Sequence, residues 1–287
     1  MCANGSTVRH GAAVGGGLGA RNSLPRCSRN KPDRLRPDNW IRSTLPTMSR
    51  SLRIATYNIH MGRGLDGRVR IERILRVLQE IDADVIALQE VVNRNGRSPQ
   101  EDQARYLADQ LGYCCGVGET RKHRKGILGN VTLSRWNIER SRQIDLSVAG
   151  RQPRGALRTD IRVGDDLLHV FNVHLGTAAR ERRAQARLID ERLLKVLDVS
   201  GHRIVMGDFN DWNHGLVTST LSKEFHLTDL AAHLPRTRAY PAVLPLLHLD
   251  HIYLDPHLKI AKARFHRNRL SLIASDHLPL VVDVTLT

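Results

Sequence analysis

The run Arg203-Ile204-Val205-Met206 stops at Gly207-Asp208-Phe209-Asn210, a buried strand broken by short polar residues. The same pattern recurs along the chain. Further apolar runs end in Thr56-Tyr57-Asn58-Ile59-His60, Leu88-Gln89-Glu90, Asn172-Val173-His174-Leu175, and the C-terminal pair Leu249-Asp250-His251 and Ser275-Asp276-His277. A Gly-Asp after one strand is an ordinary turn. Recurrence changes the reading, because strand ends hold side chains rigidly, and a carboxylate with an amide two residues on, Asp208 and Asn210, can together grip a water or a hydrated cation. A site drawing on residues from 58 to 277 calls for one domain.

Between the clusters, strand and helix periodicities alternate. Residues 52–57 are predicted extended, Ile71, Ile74, Leu75 and Leu78 fall at helical spacing, and residues 84–89 are extended again. Residues 101–110 read as a helix and 129–135 as a buried strand. Residues 155–163 and 166–174 read as a hairpin turning at Gly164-Asp165. Residues 178–197 are predicted to form one long amphipathic helix burying Leu188, Leu193, Leu194 and Leu197, with its arginines on a solvated face. Strands follow at 203–207, 249–254 and 279–286. Strands outnumber helices and join partly as hairpins, so mixed sheets in an α/β protein are expected.

Residues 1–47 are rich in Gly, Arg, Asn, Ser and Pro with no apolar period, and are expected to be a disordered basic extension. Met48 reads as the natural start, ahead of a domain over 48–287; a basic targeting arm is the alternative. The Gly11 to Ala20 stretch holds five Gly and only Val14 and Leu18 as larger apolar residues, a poor match to a secretion signal. Of the net charge of +15, residues 1–47 carry +6, from eight Lys/Arg against Asp33 and Asp38, leaving +9 for the rest. That field favours anionic partners without choosing among nucleic acid, phospholipid head groups and phosphorylated small molecules. Cys2, Cys27, Cys114 and Cys115 lack metal-binding spacing, and a disulfide framework is not expected, which fits a reducing, cytoplasmic compartment. No run reaches the roughly 18 apolar residues of a membrane span.

The motifs TYNIH, LQE, NVHL, GDFN, LDHIY and SDH, in this order over about residues 52 to 286, resemble those of the endonuclease/exonuclease/phosphatase superfamily. The resemblance implies two packed mixed sheets flanked by helices, a four-layer α/β/β/α sandwich with its site at one edge. It also implies roles. Glu90 would be the principal metal ligand, with Asn58 near the metal and Asp276 a further or second-site ligand. Asp208 would accept a proton from the attacking water and Asn210 would orient the water or the phosphate. His277 would contact a phosphoryl oxygen with Asp250 fixing its tautomer and charge, and His174 would be a second phosphate contact or the leaving-group acid.

The residue chemistry agrees. Glu90, Asp208, Asp276 and Asn58 offer hard oxygen donors, and clustered carboxylates repel unless a cation joins them, which selects Mg²⁺ or Mn²⁺ over zinc. A carboxylate behind an imidazole keeps it cationic beside phosphate, as expected of Asp250 and His277. Arg154 opens a strand expected beside the site and is a phosphate-contact candidate. The basic run Arg121-Lys122-His123-Arg124-Lys125 precedes a strand starting near Ile127; it reads as a solvated loop or, from the resemblance, as part of the substrate rim. Trp212 reads as a loop cap.

Two residues bear on the branch. Repair nucleases of the superfamily carry Tyr where this chain has His174 and Asp where it has His60, whereas DNase I-like, sphingomyelinase and inositol phosphatase members share the His. The expected activity is a monomeric, Mg²⁺-dependent phosphodiesterase acting on nucleic acid or a phospholipid-like substrate. The alternatives are a phosphomonoesterase and a non-catalytic basic nucleic-acid-binding module on the same fold. Retention of Glu90, Asp208, Asn210 and His277 argues against the last.

Overall fold

The computed structural model describes residues 50–93, 98–123, 126–194, 200–211 and 215–286. The first strand, β1 (Arg50–Asn58), lies inside a six-stranded sheet, antiparallel to β12 (Leu280–Leu286) and parallel to β2 (Val85–Asn93). The sheet is completed by β11 (Leu258–Phe265) beyond β12 and by the hairpin of β3 (Cys114–His123) and β4 (Gly126–Ser134) beyond β2. A second six-stranded sheet runs in the order β5 (Ile138–Asp145), β6 (Gly155–Val163), β7 (Asp166–His174), β8 (His202–Asp208), β10 (Asp250–Leu254) and β9 (Thr228–Asp229). Parallel neighbours need a crossover. Helix α1 (Ile71–Ile81) supplies it between β1 and β2, and α3 (Ala179–Ile189) between β7 and β8.

Alternation of side chains along each strand builds three apolar layers. Leu52 and Ile54 of β1 and Val85 and Ala87 of β2 face Val170, Ile204, Met206 and Ile252 of the other sheet. Their neighbours Ala55, Tyr57, Ile86 and Leu88 face α1 and α2 (Gln103–Leu111). On the far side Phe171, Val173, Val205 and Tyr253 meet Ala186 and Ile189 of α3. The order is therefore helices, sheet, sheet, helices, the four-layer sandwich expected. Adjacent Cys114 and Cys115 show the same alternation, one packed between the sheets and the other under the helices, and neither is in a disulfide.

Three expectations change. Regular helix ends at Ile189, and Asp190–Leu194 continue as a π-helical turn. Its core-facing side chains are Ala186, Ile189 and Leu193, with Leu188 half-buried; the side chain of Leu194 and residue Leu197 lie outside what is described. The arginine face is not uniformly solvated either. Arg182 is 6% exposed, donates to the carbonyl of Thr177 at 2.5 Å and pairs with Asp211 at 3.5 Å, fastening the loop that leaves β7. Finally, Arg121 to His123 are not loop but the end of β3, paired with residues 126–128 of β4. Arg124, Lys125, Trp212 and residues 1–47 lie outside the described residues.

Candidate active site

Cross-strand register brings the polar clusters together. On three adjoining strands of the second sheet, His174 is level with Asp208 and Asp208 with Asp250. In the first sheet Asn58 is level with Gln89, one residue before Glu90. The two sheet edges enclose a cavity of about 320 Å³, lined among others by Asn58, Glu90, Arg154, His174, Asp208, Asn210, Asp276 and His277. All eight are sequence candidates. Asp250 stands directly behind them.

Asp208 is the hub. Its Oδ2 accepts from Asn58 Nδ2 at 2.9 Å and lies 3.6 Å from His174 Nε2 and 3.8 Å from His277 Nε2, while Oδ1 accepts the Asn210 backbone N–H at 3.0 Å. Burial pushes this carboxyl up to about 6, helped by the Asp250 charge and opposed by His277, Asn58 and Asn210. Asn210 donates its amide to the Leu175 carbonyl at 3.1 Å, which fixes the side chain and leaves its oxygen as an acceptor.

The two imidazoles are tuned in opposite directions. Burial alone would depress His277, but the Asp250 charge and a 2.8 Å hydrogen bond between Asp250 Oδ2 and His277 Nδ1 outweigh it and raise the ring to about 10. His277 is thus a cation at neutral pH. His174 is held well below the ordinary histidine value by burial first, and then by the charges of Arg154, His277 and Arg121. Arg154 Nη1 sits 3.1 Å from His174 Nε2, so the guanidinium reaches the cavity.

Glu90 reaches the cavity through an irregularity in its strand. The β2/β4 register slips between Leu88 and Val91, and Glu90 adopts a left-handed φ of 54°. A bulge of this kind re-aims a side chain that a regular pleat would bury or expose. Asn210 (φ 50°) and His60 (φ 45°) are left-handed as well, so backbone strain gathers at this site. Among the described residues the Glu90 carboxylate has no hydrogen-bond or ion-pair partner. Nearby, an Asp276 carboxylate oxygen lies 3.3 Å from Ser275 Oγ and 3.4 Å from His60 Nδ1. Among the described residues no three His, Cys, Asp or Glu side chains are grouped so as to hold a metal ion by themselves.

Beneath the cavity, side chains given no role in the sequence reading join the sheets. Gln89 Nε2 donates to Thr56 Oγ1 at 3.0 Å and to Asn172 Oδ1 at 2.8 Å, and Asn172 Nδ2 donates to the carbonyls of Leu88 and Val131. Asn130 Nδ2 donates in turn to the carbonyls of Gly155 and Asn172. All four side chains are fully buried. Sequence reading also missed Tyr240, whose ring lies 4.6 Å from that of His277, and Ser275, whose hydroxyl donates to the Asn58 carbonyl at 2.8 Å. A lone Tyr in a Pro-rich segment carries no periodic signal.

Of the basic run, half-buried Arg121 lines a small recess beside the main cavity, shared with Glu90, Arg154 and His174, and Lys122 is exposed. No helix among the described residues is long and apolar enough to cross a membrane.

Comparison with known proteins agrees with this geometry. Residues 55–277 match the model of the endonuclease/exonuclease/phosphatase family. The chain is 30% identical over 255 residues to the uncharacterized protein YbhP of Escherichia coli (strain K12), covering 84% of this chain and 98% of that one. Among solved structures, it resembles an endonuclease/exonuclease/phosphatase from Beutenbergia cavernae DSM 12333, with a TM-score of 0.67, 24% identity, and 83% of this chain and 72% of that one covered. It also resembles the mannosyl-6-phosphatase Bt3783 of Bacteroides thetaiotaomicron VPI-5482, with a TM-score of 0.66, 19% identity, and 81% and 99% covered. With a family match spanning every strand-end cluster and the sandwich it predicts, the chain belongs to the endonuclease/exonuclease/phosphatase family.

Proposed function

We propose that the protein is a divalent-metal-dependent phosphoester hydrolase, a phosphodiesterase for an anionic substrate such as nucleic acid or a phospholipid head group. The observation that carries this reading is the convergence on Asp208 of Asn58, His174 and His277 in one cavity that Glu90 also lines, its carboxylate without a hydrogen-bond or ion-pair partner among the described residues.

The donors fit a hard cation. Glu90, Asn58 and Asp276 line one cavity and would hold Mg²⁺ or Mn²⁺ by oxygen, two carboxylates and an amide that leave places for waters and substrate phosphate oxygens. When bound, the cation neutralises charge on the phosphoryl group and polarises it. The residues of the chain do the rest. Asp208, ionised, accepts a proton from a water that Asn210 positions through its fixed amide. His277, held cationic by Asp250, donates to a phosphoryl oxygen, and Arg154 adds a second positive charge across the cavity. His174 rests neutral, so it serves as a hydrogen-bonding contact until an incoming phosphate restores its proton.

A Mg²⁺-titrated panel of bis-p-nitrophenyl phosphate, p-nitrophenyl phosphate, plasmid DNA, RNA and sphingomyelin tests this. Metal-dependent cleavage of a diester, abolished in Asp208→Ala, is the expected result. Cleavage of monoesters alone would move the protein to the phosphomonoesterase alternative, and cleavage of nothing would leave a binding module.

A further inference from the structure

Large apolar side chains exposed on the described surface are Leu65, Val117, Val243, Leu244, Leu246 and Ile273, and three of the six sit within four consecutive positions. They crown the loop of residues 239–247. Its foot is buried, with Ala239 and Ala242 packed on Leu278, and Ala242 N–H donates to the carbonyl of Asp276 at 2.8 Å. Its flanks Tyr240 and Leu247 line the cavity itself. The tip, Val243, Leu244 and Leu246, turns outward at 55%, 64% and 54% exposure. Apolar side chains therefore stand on the rim of the site with nothing among the described residues covering them.

The loop is built, not slack. Ala239 and Tyr240 N–H both donate to the Leu247 carbonyl, Leu246 and Leu247 N–H donate to the Tyr240 carbonyl, and Leu244 N–H donates to the Pro241 carbonyl. A segment that pins five of its own N–H groups and stiffens itself with Pro241 and Pro245 can enter a membrane interface at low cost in ordering. Exposed Leu65 and Ile273 form a second apolar point nearby, tied by the Leu65 N–H to Ile273 carbonyl bond three residues before Asp276.

Charge decides the occupant. Exposed Arg236 and Arg238 lead into the loop, exposed Arg63 precedes Leu65, and exposed Arg269 lies one helical turn before Ile273 on α5 (Arg269–Ala274). We propose that this rim is a membrane-docking surface, on which the 239–247 loop enters the interface of an anionic phospholipid bilayer and brings a phosphoester head group to the cavity beside it. Aliphatic tips with arginine flanks gain from acyl chains and anionic head groups together. A nucleic acid would instead reward aromatic stacking platforms, which the tip lacks. The inference deepens the hydrolase reading, on which it rests for the identity of the substrate but not for the docking itself.

The test uses the full chain and vesicles of phosphatidylcholine with or without phosphatidylserine. Wild type should sediment with the anionic vesicles and lose binding as salt rises. Val243→Ser/Leu244→Ser/Leu246→Ser should weaken that binding by about tenfold or more, while bis-p-nitrophenyl phosphate hydrolysis stays unchanged. A Leu244→Trp variant supplies an independent readout, a blue-shifted emission on anionic vesicles. Absence of vesicle binding by wild type at low salt, equal binding by the triple variant, or an unshifted Trp would each overturn the proposal, as would salt-sensitive binding confined to a DNA duplex. Vesicle binding by a protein that cleaves no phosphoester would instead overturn the hydrolase reading and leave the docking surface standing.

Discussion

His277 Nδ1 lies 2.8 Å from Asp250 Oδ2 with both groups buried, and this contact sets the charge of the ring facing Asp208. Burial opposes the cation; Asp250 restores it and raises the ring to about 10. Asp250→Asn keeps the shape and removes the charge. The alkaline limb of kcat/KM on a small diester, expected near pH 10, should then move down toward the ordinary histidine range, with kcat at neutral pH reduced by about one to three orders of magnitude. An alkaline limb that stays in place would dissociate Asp250 from the cation.

The acidic limb belongs to Asp208. Its carboxyl is pushed up to about 6, chiefly by burial, and it must be ionised to accept a proton, so the rate should rise with pH through about 6. Asp208→Ala should lower kcat by about two to four orders of magnitude, and His277→Ala similarly, with circular dichroism unchanged. Activity within about threefold of wild type in either variant would end the assigned roles.

Glu90 couples strain to function. Its φ of 54° costs an L side chain about 1 kcal/mol or more, and glycine adopts that conformation freely. Glu90→Gly should therefore melt no lower than wild type while the Mg²⁺ titration shifts to higher concentration. Glu90→Ala shifts the titration equally without the gain. A melting temperature clearly lower for the Gly variant than for the Ala variant would show that the conformation is not strained.

Much of this site is readable before folding because strand periodicity and motif order are local properties. Ile54, Val85 and Ile204 announce their strands, and each strand then points at its own polar end residue. What is not readable is set by pairing across the sandwich. The β5 segment Ile-Glu-Arg-Ser-Arg-Gln-Ile-Asp is an edge strand with too few apolar residues to stand out, and β11 is another edge strand, so both pass for loop. The basic run at 121–123 looks like a loop because its charge obscures its pairing with 126–128. Arg182 looks solvated because only the tertiary fold places Asp211 and Thr177 beside it. Within the motifs, Gln89 and Asn172 stood next to the candidates, yet their work is to join the sheets.

Removing Asn172 tests that joint. Asn172→Ala strands the carbonyls of Leu88 and Val131 and one donor of Gln89 in a water-free interior, each unmet group costing about 1–3 kcal/mol. Urea denaturation should show a loss of about 3 kcal/mol or more. A loss below about 1 kcal/mol would mean that water or relaxation replaces the network.

Gly207 gives the sharpest separation of motif from corner. From sequence it closes the strand expected at 203–207 and opens Gly-Asp-x-Asn, and in the structure it lies within β8, level with Val173 of the parallel strand β7, at φ 147°. A Cβ built there would sit 1.9 Å from the Val173 carbonyl oxygen and 2.8 Å from its carbon. Both are backbone atoms of the strand that carries His174 one residue on, so relief requires parting β7 from β8 at the level of the site. Gly207→Ala should therefore cost about 3 kcal/mol or more in denaturant unfolding, and the protein that still folds should lose kcat because His174 and Asp208 no longer hold their 3.6 Å spacing. Gly67 provides the contrast. It also has a left-handed φ, 70°, but nothing lies within 4 Å of its Cβ position, so Gly67→Ala should cost only the backbone penalty of about 1–2 kcal/mol and leave kcat intact. If the two variants unfold at the same denaturant concentration and keep the same kcat, the close approach at Gly207 is not what the motif glycine is for.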